Sequence, residues 1–79
     1  MAARTTLDGT VTIDSEILGG APVFTGTRVP VENLFDFLTG GYDLDEFLNA
    51  FPRVKREQAT RVLAESSSSL LAKLGVKAA

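Results

Sequence analysis

Four cationic side chains lie close together in the middle of this 79-residue chain. They are Arg53, Lys55, Arg56 and Arg61. Glu57 is the only acid within residues 53–61, whereas residues 29–52 carry five acids and no base. Cations near the start of a helix oppose the helix dipole, and a bound phosphate relieves that opposition. The cluster therefore predicts an anion-binding edge, with nucleic acid as the partner, although the net charge of −2 gives no general attraction to nucleic acid.

We expect different members of this region to make different contacts. Arg53, Lys55 and Arg56 are predicted to bind phosphate, and Gln58 or Arg61 to reach base edges. A helical wheel leaves an alternative for Arg61, because Glu57 and Glu65 stand four residues before and after it. Such i,i+4 pairs form salt bridges on solvated helices. A plain charged surface is thus the competing interpretation.

Catalytic chemistry has little support in this composition. The chain has no histidine and no cysteine, and the acids at 43, 45 and 46 are better explained by helix capping than by acid/base or metal chemistry. Tyr42 and the serines at 66–69 have no adjacent base to activate them. We predict that the protein is not an enzyme and holds no metal or cofactor.

The stretch GAPVFTGTRVPV, residues 20–31, invites comparison with a phosphate-binding loop. Pro22 and Pro30 remove two backbone donors, and no Gly-Lys-Ser/Thr sequence occurs, so we interpret it as scaffold and part of a dimer contact. Arg28 fits this interpretation least: it either caps carbonyls, pairs with Glu32 or Asp36, or contacts a partner. The predicted structural positions are Gly20, Pro22, Gly26, Thr27, Arg28 and Pro30.

Three helices are predicted to position these residues, at 31–39, 43–51 and 55–74. Apolar side chains recur with helical spacing in the first two, Gly40-Gly41 ends the first, and Asp43 with Glu46 forms a capping box for the second. The third buries Ala59 and Val62 and is expected to fray or break at the poor helix formers 66–69. A short link at Pro52 joins the last two steeply, as in a helix-turn-helix.

The residues before the helices suggest short strands. Residues 11–30 contain brief alternating segments and are predicted to form a β-hairpin or a doubled-back strand pair. We expect one domain over residues 11–74, with a flexible N-terminus at 1–10 and a flexible tail at 75–79. The fold class is therefore mainly α with a short N-terminal β segment.

Size and composition indicate an oligomer inside the cell. A domain this small gains only about 3–5 kcal/mol from its core, and no disulfide or metal site compensates, so a homodimer is expected. The absence of cysteine, of a secretory signal and of an apolar run near the roughly 20 residues of a membrane span predicts a cytoplasmic protein without membrane contact.

The chain also resembles the bacterial and archaeal family known as domain of unknown function 433. The matching positions lie between residues 11 and 66. They are Ile17, Gly19-Gly20-Ala21-Pro22, Val23-Phe24, Gly26-Thr27-Arg28-Val29-Pro30-Val31, Gly40-Gly41-Tyr42 and Phe51-Pro52. One departure is Lys55, which stands where a threonine N-cap is usual.

The resemblance implies a homeodomain-like helix-turn-helix preceded by short strands. It also implies an antitoxin, often encoded beside a PIN-like ribonuclease toxin, that blocks the toxin and binds its own promoter DNA. Our leading hypothesis is accordingly a non-enzymatic, dimeric antitoxin-like regulator. One rival is a protein-interaction module that neutralises a ribonuclease through acids between Glu32 and Glu46 and does not bind DNA. Another is a dimeric scaffold domain without either activity.

Overall fold

Three short strands form an antiparallel sheet ahead of three helices in a computed structural model that describes residues 3–73, with side chains as far as residue 67. The strands are β1 (Arg4–Thr6), β2 (Val11–Ile13) and β3 (Val23–Phe24), in the order β1-β2-β3. The helices are α1 (Val31–Thr39), α2 (Leu44–Ala50) and α3 (Arg56–Lys73). This arrangement confirms the predicted fold class of a helical domain with a β segment at its N-terminal side.

The first strand lies within residues 1–10, where the sequence prediction placed only a flexible N-terminus, and this corrects that prediction. β1 pairs with β2 in the register Thr6 opposite Val11. Between them, Asp8 and Gly9 have φ angles of 57° and 86°, and the Thr10 N–H donates to the Leu7 carbonyl at 3.1 Å. Leu7 is left-handed as well, with a φ of 53°, so three consecutive left-handed residues make the reversal between the two strands.

The segment after β3 doubles back on itself, as one of the two predicted forms required. The Phe24 N–H donates to the Val29 carbonyl at 3.0 Å, and Val23 bridges to Pro30. Residues 25–27 make the reversal, closed by the Thr27 N–H donating to the Phe24 carbonyl at 3.0 Å. Gly26 has a φ of 82° at the third position of this turn, where type II geometry requires a positive φ.

α1 begins and ends where the sequence predicted. Pro30 precedes it in an extended conformation with ψ at 140°. At the other end, the Tyr42 N–H donates to the Phe37 carbonyl at 2.9 Å and the Gly41 N–H to the Leu38 carbonyl at 3.1 Å. These two bonds form a Schellman motif, in which Gly41 supplies the left-handed residue with a φ of 95°.

The other two helices match their predictions with one correction. The capping box of α2 is present, because Asp43 and Glu46 each accept a hydrogen bond from the other's backbone N–H at 2.8 Å. α3 passes through residues 66–69 without the predicted break and continues to Lys73. Poor helix propensity there is outweighed by an otherwise continuous helix. The predicted end at residue 74 and the tail 75–79 lie outside the described residues.

One apolar core joins the sheet to all three helices. Its buried side chains are Val11, Phe24, Leu34, Phe47, Val54, Ala59 and Val62. Phe47 is the centre of an aromatic group, with ring centroids 6.0 Å from Phe24, 5.6 Å from Phe37 and 5.0 Å from Phe51. Ala59 and Val62 are buried as predicted, so the inner face of α3 is fixed and its cationic residues face away from the core. Within residues 3–73, every helix falls short of the length or apolarity that crossing a membrane demands.

Candidate nucleic-acid interface

The predicted cations lie where the link from α2 enters α3. Arg53, Lys55 and Arg56 are exposed, and Arg61 is half-buried one and a half turns further along the helix. Val54 lies between them and is buried in the core, with its N–H donating to the Phe51 carbonyl at 3.0 Å. Anchoring of Val54 therefore holds its two neighbours outward. The structure brings Arg53 and Lys55 to one edge of the molecule.

Arg56 is already paired within the protein. Its guanidinium donates to the Asp45 carboxylate of α2, and the two side chains remain 60% and 70% exposed. An exposed pair of this kind contributes about 0–1 kcal/mol, so it tethers α3 to α2 only weakly. The contact nevertheless neutralises one of the three cations that the sequence assigned to phosphate.

Arg61 makes one of the two helix pairs that the sequence offered. Its guanidinium donates to Glu65 at 3.0 Å, and a second nitrogen lies 3.4 Å from the Asp8 carboxylate in the β1–β2 turn. The hydrogen bond to Glu65 raises the pKa of Arg61 above its ordinary value. Within the described residues, the alternative partner Glu57 forms no ion pair with Arg61. Arg61 thus links the hairpin to α3, which argues against its predicted role at base edges.

Gln58 has both amide atoms engaged inside the protein. Its Oε1 accepts from the Lys55 N–H at 2.9 Å, and its Nε2 donates to the Thr25 carbonyl at 3.0 Å. The first bond is half of a capping box around α3, and the second ties α3 to the turn after β3. Reading a base edge would require breaking both bonds. The structure therefore favours a positioning role for Gln58 over the predicted contact with bases.

The outer face of α3 carries balanced charge. Two cations, Arg56 and Arg61, share it with Glu57, Glu65 and the small residues Thr60 and Ala64. All the groups on this face come from a single helix and form an open surface, not a cleft. A neutral helix face has no electrostatic attraction to a polyanion. The unbalanced positive charge lies instead at the beginning of the helix.

Arg28 adds a third outward cation, on the turn that the sequence treated as scaffold. It is exposed, and neither Glu32 nor Asp36 pairs with it among the described side chains. Arg28 and Arg53 line one shallow cavity, and Arg53 and Lys55 line a second. Gly26 belongs to both cavities. Sequence reasoning flagged Arg28 as unexplained but did not place it beside Arg53, because 24 residues and two helices separate them in the chain.

The remaining positions of the 20–31 stretch support the backbone, as predicted. Thr27 is 8% exposed, and its Oγ1 donates to the Phe24 carbonyl at 2.7 Å while accepting from the Val29 N–H at 3.0 Å. Gly20 is the last residue of the 3₁₀ turn Leu18–Gly20 and has a φ of 95°. The Pro22 carbonyl accepts from the first residue of α1 at 2.9 Å, and Pro30 is the N-cap of that helix.

Comparison with known proteins identifies a family without assigning an activity. The family model described as "Protein of unknown function (DUF433)" matches residues 11–64, which is more than half of the chain. The matched range includes the turn, both ends of the α2–α3 link and the first half of α3. It excludes β1, so the strand that completes the sheet lies beyond the family match.

One curated relative is an uncharacterised protein, y4eO, of Sinorhizobium fredii (strain NBRC 101917 / NGR234). It is 40% identical over 48 residues, which are 61% of this chain and 22% of the relative. The chain thus spans less than a quarter of the relative's length. No solved structure is significantly similar to the chain.

Proposed function

We propose that this chain, which belongs to the DUF433 family, is a non-enzymatic regulator of the antitoxin kind that binds promoter DNA and a ribonuclease-type toxin. The observation that carries the DNA half is the edge formed by Arg53 and Lys55. Both side chains are exposed beside the helix pair, and neither forms an ion pair within the described part of the chain. Cations without internal partners bind phosphate without first losing an intramolecular contact.

The number of such contacts favours a dimer on DNA. One protomer offers only a few unpaired cations at this edge, and DNA affinity grows with the number of phosphates that a protein neutralises. A symmetric dimer doubles that number and matches the two-fold symmetry of a palindromic operator. Phosphate contacts position a protein but carry no sequence information, so operator choice rests on other contacts.

A second surface supports the toxin half of the proposal. Glu32 and Asp36 are exposed four residues apart on α1, and no cation pairs with them in the described part of the structure. A ribonuclease must attract RNA, so its active groove is expected to be basic. Charge complementarity between that groove and α1 would speed association and orient the complex.

A mobility-shift assay with duplex DNA from the region upstream of the gene tests the DNA half. The wild-type protein is expected to shift this DNA at low salt, and Arg53→Ala/Lys55→Ala to shift it far less. Arg4→Ala is the matched control, because Arg4 is an exposed cation on β1. Folded wild-type protein that gives no shift at low salt would remove DNA from the proposal.

Co-expression with the product of the adjacent gene tests the toxin half. The two proteins are expected to co-purify, and Glu32→Lys/Asp36→Lys to reduce recovery of the partner while leaving DNA binding intact. Thr39→Lys, an exposed position on the same helix, is the control for adding a charge to α1. A solitary gene, or a neighbour that never co-purifies, would contradict this half. Hydrolase activity in a clean preparation would contradict the non-enzymatic assignment.

A further inference from the structure

We infer that the phosphate-binding edge does not end at α3 but continues over the turn at residues 25–28, with Arg28 as a contact and Gln58 as the positioning residue. The inference rests on the proposed function and extends its site to a segment that the sequence identified as scaffold. The partner is the phosphodiester backbone of duplex DNA.

The shape of the surface brings the three cations into one continuous track. The cavity that Arg28 and Arg53 share is also lined by Thr12, Gly26 and Thr27. The second cavity shares Gly26 and Arg53 with it and is also lined by Lys55. Both cavities are shallow and open. An extended ligand such as a nucleic-acid backbone fits an open track. A compact small molecule fits it less well, because small-molecule sites usually enclose most of the ligand surface.

Gly26 has no side chain that would project into the centre of the track. A Cβ at this position would meet no heavy atom within 4 Å, so the backbone here stands open to a ligand. Glycine is needed for the positive φ of the turn, and the missing side chain also lets another backbone approach closely. The hydroxyls of Thr25 and Thr12 are 2.8 Å apart, and the hydrogen bond between them holds the turn against β2.

Two acids mark where the track stops. Asp8 and Glu57 line the second cavity together with Arg53 and Lys55, and Asp8 lies beside Arg61. Their carboxylates repel phosphate, so the favourable path runs along Arg28, Arg53 and Lys55. Among the described residues, no acid lines the first cavity. The absence of carboxylates from this half of the track is why we assign it to an anionic backbone and not to a protein of mixed charge.

Gln58 fixes the two halves of the track relative to each other. Its amide binds the Lys55 N–H with one atom and the Thr25 carbonyl with the other, across 33 residues of chain in the second case. Lys55 belongs to the helix half and Thr25 precedes Arg28 in the turn half. Because one planar group makes both bonds, the spacing between Arg28 and Lys55 depends on it.

The test measures binding of fluorescent duplex DNA by polarisation over a series of salt concentrations. Two duplexes are compared, the gene's own upstream region and a scrambled duplex of the same length. Arg28→Ala is expected to weaken binding to both duplexes several-fold and to reduce the slope of log K against log salt by about 0.9, the value for one lost phosphate contact. Arg4→Ala, the exposed cation on β1, is expected to leave affinity and slope unchanged.

The positioning role has its own readout. Gln58→Met removes both hydrogen bonds at similar size and unchanged charge, and it is expected to lower DNA affinity. If Gln58 acts through Arg28, the double variant Arg28→Ala/Gln58→Met has the same DNA affinity as the single variant that binds DNA more weakly. The reason is that the effects of coupled residues on binding free energy do not add. Circular dichroism of each variant at the assay temperature verifies that it is folded. Fully additive effects would overturn the positioning role.

The outcomes separate this inference from the proposed function. Equal affinity for the two duplexes would argue against a promoter-specific regulator, yet a loss of affinity in Arg28→Ala would still support the track. Wild-type affinity and slope in folded Arg28→Ala would overturn the track, whatever the sequence preference. Loss of a protein partner by Arg28→Ala, with DNA binding intact, would likewise overturn it and assign Arg28 to protein contact. Failure of the wild type to bind either duplex would remove both.

Discussion

Lys55 shows at the scale of one residue how helix stability and anion binding oppose each other. It occupies the N-cap of α3, and its N–H already donates to Gln58 Oε1 at 2.9 Å, which is one half of a capping box. A lysine side chain has no acceptor for the free N–H groups of the first turn, whereas threonine does. The position therefore has a cation where a better cap is available.

Replacing Lys55 by threonine is expected to separate these two effects. Lys55→Thr completes the capping box, so the free energy of unfolding should rise by about 0.5–1 kcal/mol in urea titrations. DNA affinity should fall together with the salt slope, because a phosphate contact is lost. Lys55→Ala is the control, since it removes the charge without adding an acceptor. A threonine variant no more stable than the alanine variant would contradict the capping explanation.

Thr27 illustrates a buried polar group that the backbone requires. Its hydroxyl serves the Phe24 carbonyl and the Val29 N–H at once, in an 8% exposed position. Thr27→Val has the same shape but leaves the Val29 N–H without that acceptor, so unfolding free energy should fall by about 1–3 kcal/mol. Thr5→Val on exposed β1 is the control and should change stability little. Equal stability of the two variants would rule out this role for the hydroxyl.

The site could be predicted from the sequence only in part, for a reason visible at single residues. The charge pattern identified Arg53 and Lys55. They are two residues apart in the α2–α3 link, so their proximity follows from the sequence alone. The internal partners of Arg56, Gln58 and Arg61 are Asp45, Thr25 and Asp8, the last 53 residues distant. Nothing local in the sequence specifies such long-range pairs, and these pairs decide which cations are left for a ligand.

At the scale of elements, the helices were predictable because their signals are local. Apolar spacing, the Asp43–Glu46 capping box and Gly40-Gly41 each act within a few residues, and each matches the structure. β1 was missed although Asp8-Gly9 is itself a strong hairpin signal. The exposed strand Arg4–Thr6 has no apolar alternation, so the turn residues alone could have identified it.

Gly41 provides a test of how α1 ends. Its φ of 95° is strained for any residue with a Cβ, and space is not limiting because a Cβ would meet nothing within 4 Å. Gly41→Ala should therefore lower the free energy of unfolding by about 1–2 kcal/mol through backbone strain. Gly41→Asn should lower the free energy of unfolding by less than Gly41→Ala does, since asparagine tolerates left-handed geometry. The reverse order in thermal unfolding would contradict the Schellman assignment.

At the scale of the whole molecule, the small core leaves an apolar groove at the surface. The groove lies between the hairpin, α1 and α3, and its apolar lining includes Leu7, Val11, Ile13, Val31 and Phe35. The homodimer stays a prediction from the sequence, and we expect a second copy of the chain to cover this groove. An apolar patch on the surface of a small domain often marks a site where another protein binds.

Sedimentation equilibrium and thermal unfolding test the dimer together. We expect a dimer, with a melting temperature that rises with protein concentration as mass action requires. Ile13→Lys places a charge in the groove and should give a monomer with a lower melting temperature. Leu18→Lys is the control, because Leu18 is 48% exposed and lies outside the groove lining. A wild type that stays monomeric with a constant melting temperature would disprove the dimer.

The packing of the first hairpin against the last helix has a consequence for biosynthesis. Val11 of the hairpin and Val62 of the last helix are buried in the same cluster, so the hairpin has no complete packing surface until α3 exists. An isolated small sheet is at best marginally stable in water. A nascent chain whose α3 is still inside the ribosomal tunnel therefore lacks part of the core against which the hairpin packs. Premature truncation anywhere before Val62 should yield a protease substrate, not a shorter functional protein.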